Sequence, residues 1–240
     1  MHNPPTAHEA RISEIFSSLQ GEGTHLGERH LFIRFEECHI HCEYCDELDK
    51  PGRPRALEEV VAAVLQVEKD EGPHSFVSLT GGEPLLYLTF LRPLLPRLKT
   101  RGFRIYLETN GILWQALREV IGWCDLIAMD LKPASVTKER SFLEEHRRFL
   151  KHCQGRELFI KIILSKEIDI QEFQDLIRLV EEVSPQTPVI LQPISQSESG
   201  IEGHEDPELM KLLVELQRLA GRRIPDVRIL PRLHRILKIR

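Results

Sequence analysis

Residues 31–45 read LFIRFEECHIHCEYC, an apolar run followed at once by three cysteines. The aromatic and β-branched side chains of Leu31–Phe35 favour a buried strand. Cys38, Cys42 and Cys45 fall within eight residues, which is close enough for one loop to hold a single metal centre. The stretch therefore predicts a strand whose carboxyl end carries metal ligands.

The same alternation of an apolar strand with a helix continues along the chain. Near-continuous apolar strands separated by helices predict an α/β fold with a parallel sheet covered by helices, and the periodicity does not distinguish an open sheet from a barrel. The further strand candidates are Phe76–Thr80, Arg104–Glu108, Leu126–Asp130, Leu158–Leu164, Val189–Gln192 and Val227–Leu230. Apolar residues at helical spacing occupy Leu57–Leu65, Phe90–Leu98, Leu113–Ile121, Phe142–Leu150, Phe173–Val183 and Leu209–Leu219.

Polar motifs follow four of the strand candidates. After the cysteine run come GGEP at residues 81–84, TNG at residues 109–111 and LKP at residues 131–133. In α/β folds the loops beyond the carboxyl ends of the strands build the active site. We therefore expect these four loops to meet in one pocket.

Composition limits the class of protein. The chain has 240 residues, 41% of them hydrophobic, without repeats or linkers of biased composition, so residues 1–240 are predicted to form one domain. The net charge of −5 argues against nucleic acid as the main partner. No apolar stretch approaches the ~20 residues that span a bilayer, and the start lacks a signal peptide's apolar core. We expect a cytoplasmic protein with no membrane partner.

The five cysteines divide into a cluster and two single residues. An odd number in such a chain favours metal binding over disulfides. Zinc in a closed site would need a fourth ligand, such as His39 or His41, and each of these lies beside a cysteine. An iron–sulfur cluster with three cysteine ligands would leave one iron open. Both metals remain candidates, and Cys124 and Cys153 are predicted to be ordinary buried thiols.

The C-x-x-x-C-x-x-C spacing, with LTGGEP at Leu79–Pro84, resembles the signature of the radical S-adenosylmethionine (SAM) superfamily. The resemblance implies a partial (β/α)6 TIM-like barrel in which Cys38, Cys42 and Cys45 hold a 4Fe–4S cluster whose open iron binds SAM. It places the cluster on a loop at residues 36–48. The residues implied to contact SAM are Tyr44, Cys45, Asp46, Gly82, Glu83, Asp130, Leu131 and Lys132. The last three stand where the family often has Ser-Pro-Lys, and of these only Lys132 is the same.

The N-terminal stretch Glu14–Phe35, EIFSSLQGEGTHLGERHLFIRF, resembles the opening of the 7-carboxy-7-deazaguanine synthase family. That family consists of radical SAM lyases that convert 6-carboxy-5,6,7,8-tetrahydropterin to 7-carboxy-7-deazaguanine with loss of ammonia, on the route to queuosine. The implied substrate contacts are Leu19, Gln20, Gly21, Glu22, Arg34, Thr80 and Arg240. The residue types agree, since Gln and Glu can match the hydrogen-bonding edge of a pterin and Arg can grip a carboxylate.

The chain departs from the family at two places. Asp46-Glu47 stands where Asp-Thr is usual, so Glu47 is predicted to replace the threonine as a ligand of Mg²⁺, for which a carboxylate is suited. Glu36 and Glu37 stand where Gly is common before the first cysteine. In the tail, residues 227–240, His234 is retained, Arg232 replaces a usual glutamine, and the terminus is expected to close over the substrate.

The resemblance also implies a homodimer and a flavodoxin-type or other reductant. Two alternatives stay open at this point. A glycyl-radical-enzyme activase would share the cysteine motif, GGEP, ETNG at residues 108–111 and DLK at residues 130–132. A zinc-stabilised binding module without catalysis would use the cysteines alone.

Overall fold

A computed structural model describes residues 9–45, 51–194, 206–237 and 239. The strands are β1 (Glu9–Leu19), β2 (Arg29–Phe35), β3 (Arg53–Ala56), β4 (Phe76–Gly81), β5 (Ile105–Thr109), β6 (Leu126–Leu131), β7 (Glu157–Leu164), β8 (Val189–Pro193) and β9 (Val227–Ile229). They form one nine-stranded sheet in the order β3-β1-β2-β4-β5-β6-β7-β8-β9. The sheet is open, and β2 and β4 through β9 are parallel, so the α/β prediction is confirmed.

Each apolar segment with helical spacing forms a helix between two strands. The helices are α1 (Leu57–Glu71), α2 (Leu88–Lys99), α3 (Trp114–Val120), α4 (Ala134–Thr137), α5 (Leu143–His152), α6 (Ile170–Val183), α7 (Pro207–Ala220) and α8 (Leu233–Leu237). Cys124 and Cys153 are 4% and 1% exposed within the core, which confirms them as buried thiols. Within the described ranges, no helix has the length and apolar character needed to cross a membrane.

Two strands were not predicted. β1 pairs antiparallel with β2, and β3 pairs antiparallel with β1, so together they extend the parallel sheet at one edge. β1 reads EARISEIFSSL, and only Ala10, Ile12 and Phe16 in it are buried. Polar residues make up about half of β1 because much of this strand stays partly exposed, and a search for buried apolar runs passes over it.

Side chains alternate between two faces of the parallel strands. The outer face packs against the helices and forms the main core. Near the amino ends of the strands the inner face is filled by Phe76, Tyr106, Leu126, Ala128, Phe159 and Ile190. Toward the carboxyl ends the inner positions become polar, and they are occupied by Arg34, Thr80, Glu108, Asp130 and Lys161. The fold thus builds a polar concavity at the predicted end of the sheet.

His30 lies at the other end of the inner face and offers a test of the packing. It is fully buried against Phe76 and Tyr106, and its Nδ1 lies 2.8 Å from Ser78 Oγ. Burial lowers the pKa of His30 to about 4. The unfolded chain therefore takes up a proton below pH 6.5 while the folded protein does not, so this contribution to stability is present above pH 6.5 and is lost as the pH falls toward 4.

We expect His30→Asn to remove that pH dependence. As the pH rises from 4 to 6.5, the unfolding free energy of the wild type should increase relative to that of the variant by at most about 1.4 kcal/mol per pH unit. Urea unfolding of both proteins at several pH values measures the slope. Parallel pH profiles would show that His30 is protonated in the folded protein.

Candidate active site

A cavity of about 210 Å³ opens at the carboxyl ends of the parallel strands. It brings together all the described residues that were predicted to bind substrate, namely Leu19, Gln20, Gly21, Glu22, Arg34 and Thr80. The same cavity is lined by Cys38, Cys42, Tyr44, Cys45, Gly82, Asp130 and Lys132 from the predicted cluster and SAM set. The loops therefore meet in one pocket, as expected.

Two of the predicted SAM contacts have a different placement, and three further predicted residues are not described. Glu83 is fully buried beneath the cavity, and Leu131 faces the helix-covered core, so neither side chain lines the cavity. Asp46, Glu47 and Arg240 lie outside the described residues. For these three the sequence-based roles stay predictions.

The glycines of GGEP bring two of the loops together. Gly81 has φ +104°, a conformation that favours glycine, and a Cβ there would overlap the backbone of Phe35. A Cβ on Gly82 would overlap the carbonyl of Glu37. The Gly82 N–H donates to Phe35 O at 2.8 Å and the Glu83 N–H donates to Glu37 O at 2.7 Å. GGEP thus fixes the start of the cysteine loop, whatever ligand the loop holds.

Glu36, one of the two departures before Cys38, also has a structural role. Its carboxylate pairs with the Arg11 guanidinium of β1, which also donates to Gly52 O at 2.7 Å. Glu36 therefore ties the cysteine loop to the antiparallel edge of the sheet, a contact that glycine lacks.

The three cysteines fit an iron–sulfur cluster. They pack with Ile40, Ile112 and Phe142, and burial raises the pKa of the Cys38 and Cys42 thiols. Ligation to iron would offset this rise, because a metal binds the thiolate. In the described part of the chain, no three His, Cys, Asp or Glu side chains converge as ligands of one ion. A cluster does not require such convergence, since each thiolate binds a different iron atom.

Alternating charges cross the cavity floor. The Lys161 ammonium pairs with the carboxylate of Glu22 and lies 3.3 Å from Asp130 Oδ1, while Lys132 Nζ donates to Asp130 Oδ2 at 2.8 Å. Burial opposes the charged form of Glu22, but Lys161 and Arg232 outweigh it and lower the pKa of Glu22 to about 2. This buried charge row, which consists of Glu22, Lys161, Asp130 and Lys132, links the predicted substrate side of the cavity to the predicted SAM side.

Lys161 and Glu108 are two charged residues of the cavity that sequence reasoning missed. Gln20 Nε2 donates to Glu108 Oε1 at 2.9 Å, and Thr80 Oγ1 donates to Glu108 Oε2 at 2.7 Å. The signal was present, since Lys161 is the one charged residue in the apolar run Leu158–Leu164. A lone charge on a buried strand needs a partner or a ligand.

The described part of the tail covers the predicted substrate side of the cavity. The Leu233 N–H donates to Gly21 O at 2.9 Å, and Arg232 and His234 line the cavity. A Cβ on Gly21 would overlap the His234 ring, so glycine allows this close approach. The closing role of the whole tail stays a prediction.

Comparison with known proteins agrees with this geometry. Residues 32–180 match the Radical SAM superfamily. A 7-carboxy-7-deazaguanine synthase from Geobacter sulfurreducens is 36% identical, over 95% of this chain and 97% of the relative. Another from Methanopyrus kandleri is 32% identical, over 94% of this chain and 92% of the relative.

This chain belongs to the radical SAM superfamily and, within it, to the 7-carboxy-7-deazaguanine synthase family. The superfamily implies a 4Fe–4S cluster and SAM, which favours iron over zinc in the cysteine loop. A crystal structure of QueE from Escherichia coli shares the fold, with a TM-score of 0.63 and 18% identity over 94% of this chain and 95% of that one.

Proposed function

We propose that the chain is a radical SAM lyase that converts 6-carboxy-5,6,7,8-tetrahydropterin to 7-carboxy-7-deazaguanine, releases ammonia and requires Mg²⁺. When bound, the cluster and SAM supply the radical chemistry. The protein positions the two ligands and excludes water. The observation that carries the proposal is the single cavity lined by both predicted sets of residues.

The polar groups of the cavity suit a pterin with a carboxylate. Gln20 and Glu108 present amide and carboxylate groups that match donors and acceptors on a pterin edge. Arg34 lies on the same floor, across the β2–β4 pair from Thr80, and supplies a guanidinium for the carboxylate. The cavity lining therefore combines edge recognition with one strong anion contact.

Three further assignments extend the proposal. Glu47 serves as the Mg²⁺ ligand that replaces the usual threonine, and the tail at residues 227–240 closes over the substrate with Arg240 as a substrate contact. Residues 1–240 act as one domain, as a cytoplasmic homodimer that a flavodoxin-type reductant supplies with electrons. These assignments rest on the family resemblance.

The Arg34 role leads to a direct prediction. Arg34→Ala should raise the KM for the carboxylated pterin about 10- to 100-fold, because a charge-assisted hydrogen bond is worth roughly 1.5–3 kcal/mol. The KM of Arg34→Lys should lie between those of the wild type and Arg34→Ala, because lysine keeps the charge and loses the planar guanidinium. Equilibrium binding of a tetrahydropterin without the carboxylate is the control and should change little. Equal losses for both pterins would assign Arg34 a structural role.

Product analysis tests the proposed function. Anaerobically reconstituted protein is incubated with 6-carboxytetrahydropterin, SAM and a chemical reductant, with and without Mg²⁺. We expect 7-carboxy-7-deazaguanine and ammonia, with Mg²⁺ required. A glycine-containing peptide in place of the pterin should give no peptide radical, whereas an activase would give one. Release of 5′-deoxyadenosine without the deazaguanine product would overturn the proposal.

A further inference from the structure

Asn110, in the TNG loop after β5, lies beside the cysteine loop at the cavity. It is 6% exposed and lies between the cavity and α5. Its side-chain Nδ2 is 3.8 Å from Cys38 Sγ. This is the distance of a long N–H···S hydrogen bond.

The other polar groups of Asn110 all have protein partners. Its N–H donates to Glu83 Oε2 at 2.8 Å, and its carbonyl lies 3.2 Å from His146 Nε2, which must be the donor there because a carbonyl only accepts. Its Oδ1 accepts from the Ile112 N–H at 3.3 Å. Since that N–H can only donate, the oxygen of the amide faces Ile112 and the NH₂ group faces the sulfur.

Glu83, which lies beneath the cavity, holds this loop in place. Its carboxylate also accepts from Thr109 Oγ1 at 3.0 Å and from the Leu85 N–H at 3.0 Å. The GGEP and TNG loops are therefore joined by one buried carboxylate. The direction of the Asn110 amide is set by the fold and does not depend on a ligand.

We propose that Asn110 is a positioning residue that donates an N–H···S hydrogen bond to the Cys38 thiolate of the cluster and raises the cluster's reduction potential. The inference rests on the proposed ligation of the cluster by Cys38. Reduction adds negative charge to the cluster and its sulfurs, so a donor at sulfur stabilises the reduced form more than the oxidised form. Asn110 thereby makes the one-electron reduction that precedes SAM cleavage easier.

The test uses the cluster-loaded enzyme without SAM, so that the result does not depend on catalysis. An EPR-monitored redox titration gives the potential, and ENDOR in H₂O and D₂O detects an exchangeable proton beside the cluster. In Asn110→Leu the equilibrium constant for reduction should fall about tenfold, which corresponds to about 59 mV for one electron. The exchangeable-proton coupling that arises from Asn110 should be lost, while a coupling from the backbone hydrogen bond of Ile40 to Cys38 should remain.

Asn110→Asp keeps the shape of the side chain and an oxygen that accepts from the Ile112 N–H. It replaces Asn110→Leu in the titration if the leucine variant takes up little cluster. It should lower the potential at least as much. His146→Gln keeps a donor for the Asn110 carbonyl and is the control for loop disturbance, with an unchanged potential expected.

Two results would overturn the inference. One is a wild-type potential in both Asn110 variants at wild-type iron and sulfide content. The other is an exchangeable-proton spectrum of Asn110→Leu that is identical to that of the wild type. Absence of iron and sulfide from the wild-type protein is a separate outcome, because it would contradict the proposed function itself.

Discussion

Cys42→Ser is expected to abolish the iron–sulfur cluster and all product formation. Cys42 is the most buried of the three motif cysteines, 7% exposed among Ile40, Ile112 and Phe142. A serine hydroxyl at that position does not replace a thiolate ligand in an apolar pocket, because its deprotonated form is far less accessible. Iron and acid-labile sulfide should fall to background after anaerobic reconstitution, and 7-carboxy-7-deazaguanine should be undetectable.

Cys124→Ser is the matched control. Cys124 is equally buried, but it packs in the main core, where its Sγ lies 3.6 Å from Val120 O. This variant should keep the iron and sulfide content of the wild type, with any loss confined to stability. The account would be wrong if Cys42→Ser retained a wild-type cluster, or if Cys124→Ser lost it.

Lys161→Met should give the largest loss of stability. Lys161 is 8% exposed and neutralises two carboxylates, Glu22 and Asp130, that are themselves largely buried. Removing one partner from such a row leaves uncompensated buried charge, which costs about 3–5 kcal/mol. Urea unfolding of the cluster-free protein at pH 7 measures the difference. Affinity for the pterin should also fall, because Glu22 loses its fixed position in the cavity.

The pH dependence separates this mechanism from simple loss of packing. Glu22 has a pKa of about 2 in the folded protein against about 4.5 in the unfolded chain, so its contribution is present above pH 4.5 and is lost as the pH falls toward 2. The deficit of Lys161→Met should therefore shrink below pH 4.5. The double variant Lys161→Met, Glu22→Gln should recover part of the loss at pH 7.

Lys166→Met is the control for removal of a paired lysine. Lys166 pairs with Asp206, and its side chain is 49% exposed. A surface ion pair of this kind contributes little, so no resolvable change in unfolding is expected. A similar deficit in both lysine variants, or a Lys161→Met deficit that is constant with pH, would contradict the buried charge row.

The parallel part of the fold was predictable because its strands are buried on both faces. Leu126–Leu131 and Glu157–Leu164 are apolar enough to stand out from the helices that flank them. The cysteine loop and GGEP were found for a different reason, since unusual residues at fixed spacing carry chemistry. Both signals are local in sequence, and both indicated the end of the sheet at which the cavity opens.

What escaped prediction depends on contacts between distant residues. β1 is half polar, and its place beside β2 follows from antiparallel pairing that no local pattern reveals. Glu83 lies in a motif, but its role as the carboxylate that joins two loops becomes clear only when Thr109 and Asn110 lie beside it. Lys161 pairs with Glu22 across 139 positions of sequence, and only folding places the two charges together.

The proposed function requires that one cavity hold both SAM and the pterin, and we expect the radical formed from SAM to abstract the hydrogen at C6 of the pterin. Deuterium transfer tests it most directly. With 6-carboxytetrahydropterin deuterated at C6, reconstituted enzyme should release 7-carboxy-7-deazaguanine and place deuterium in 5′-deoxyadenosine or in SAM, as measured by mass spectrometry. Product formation without any deuterium in either molecule, or deuterated substrate recovered intact while SAM is cleaved, would contradict the account.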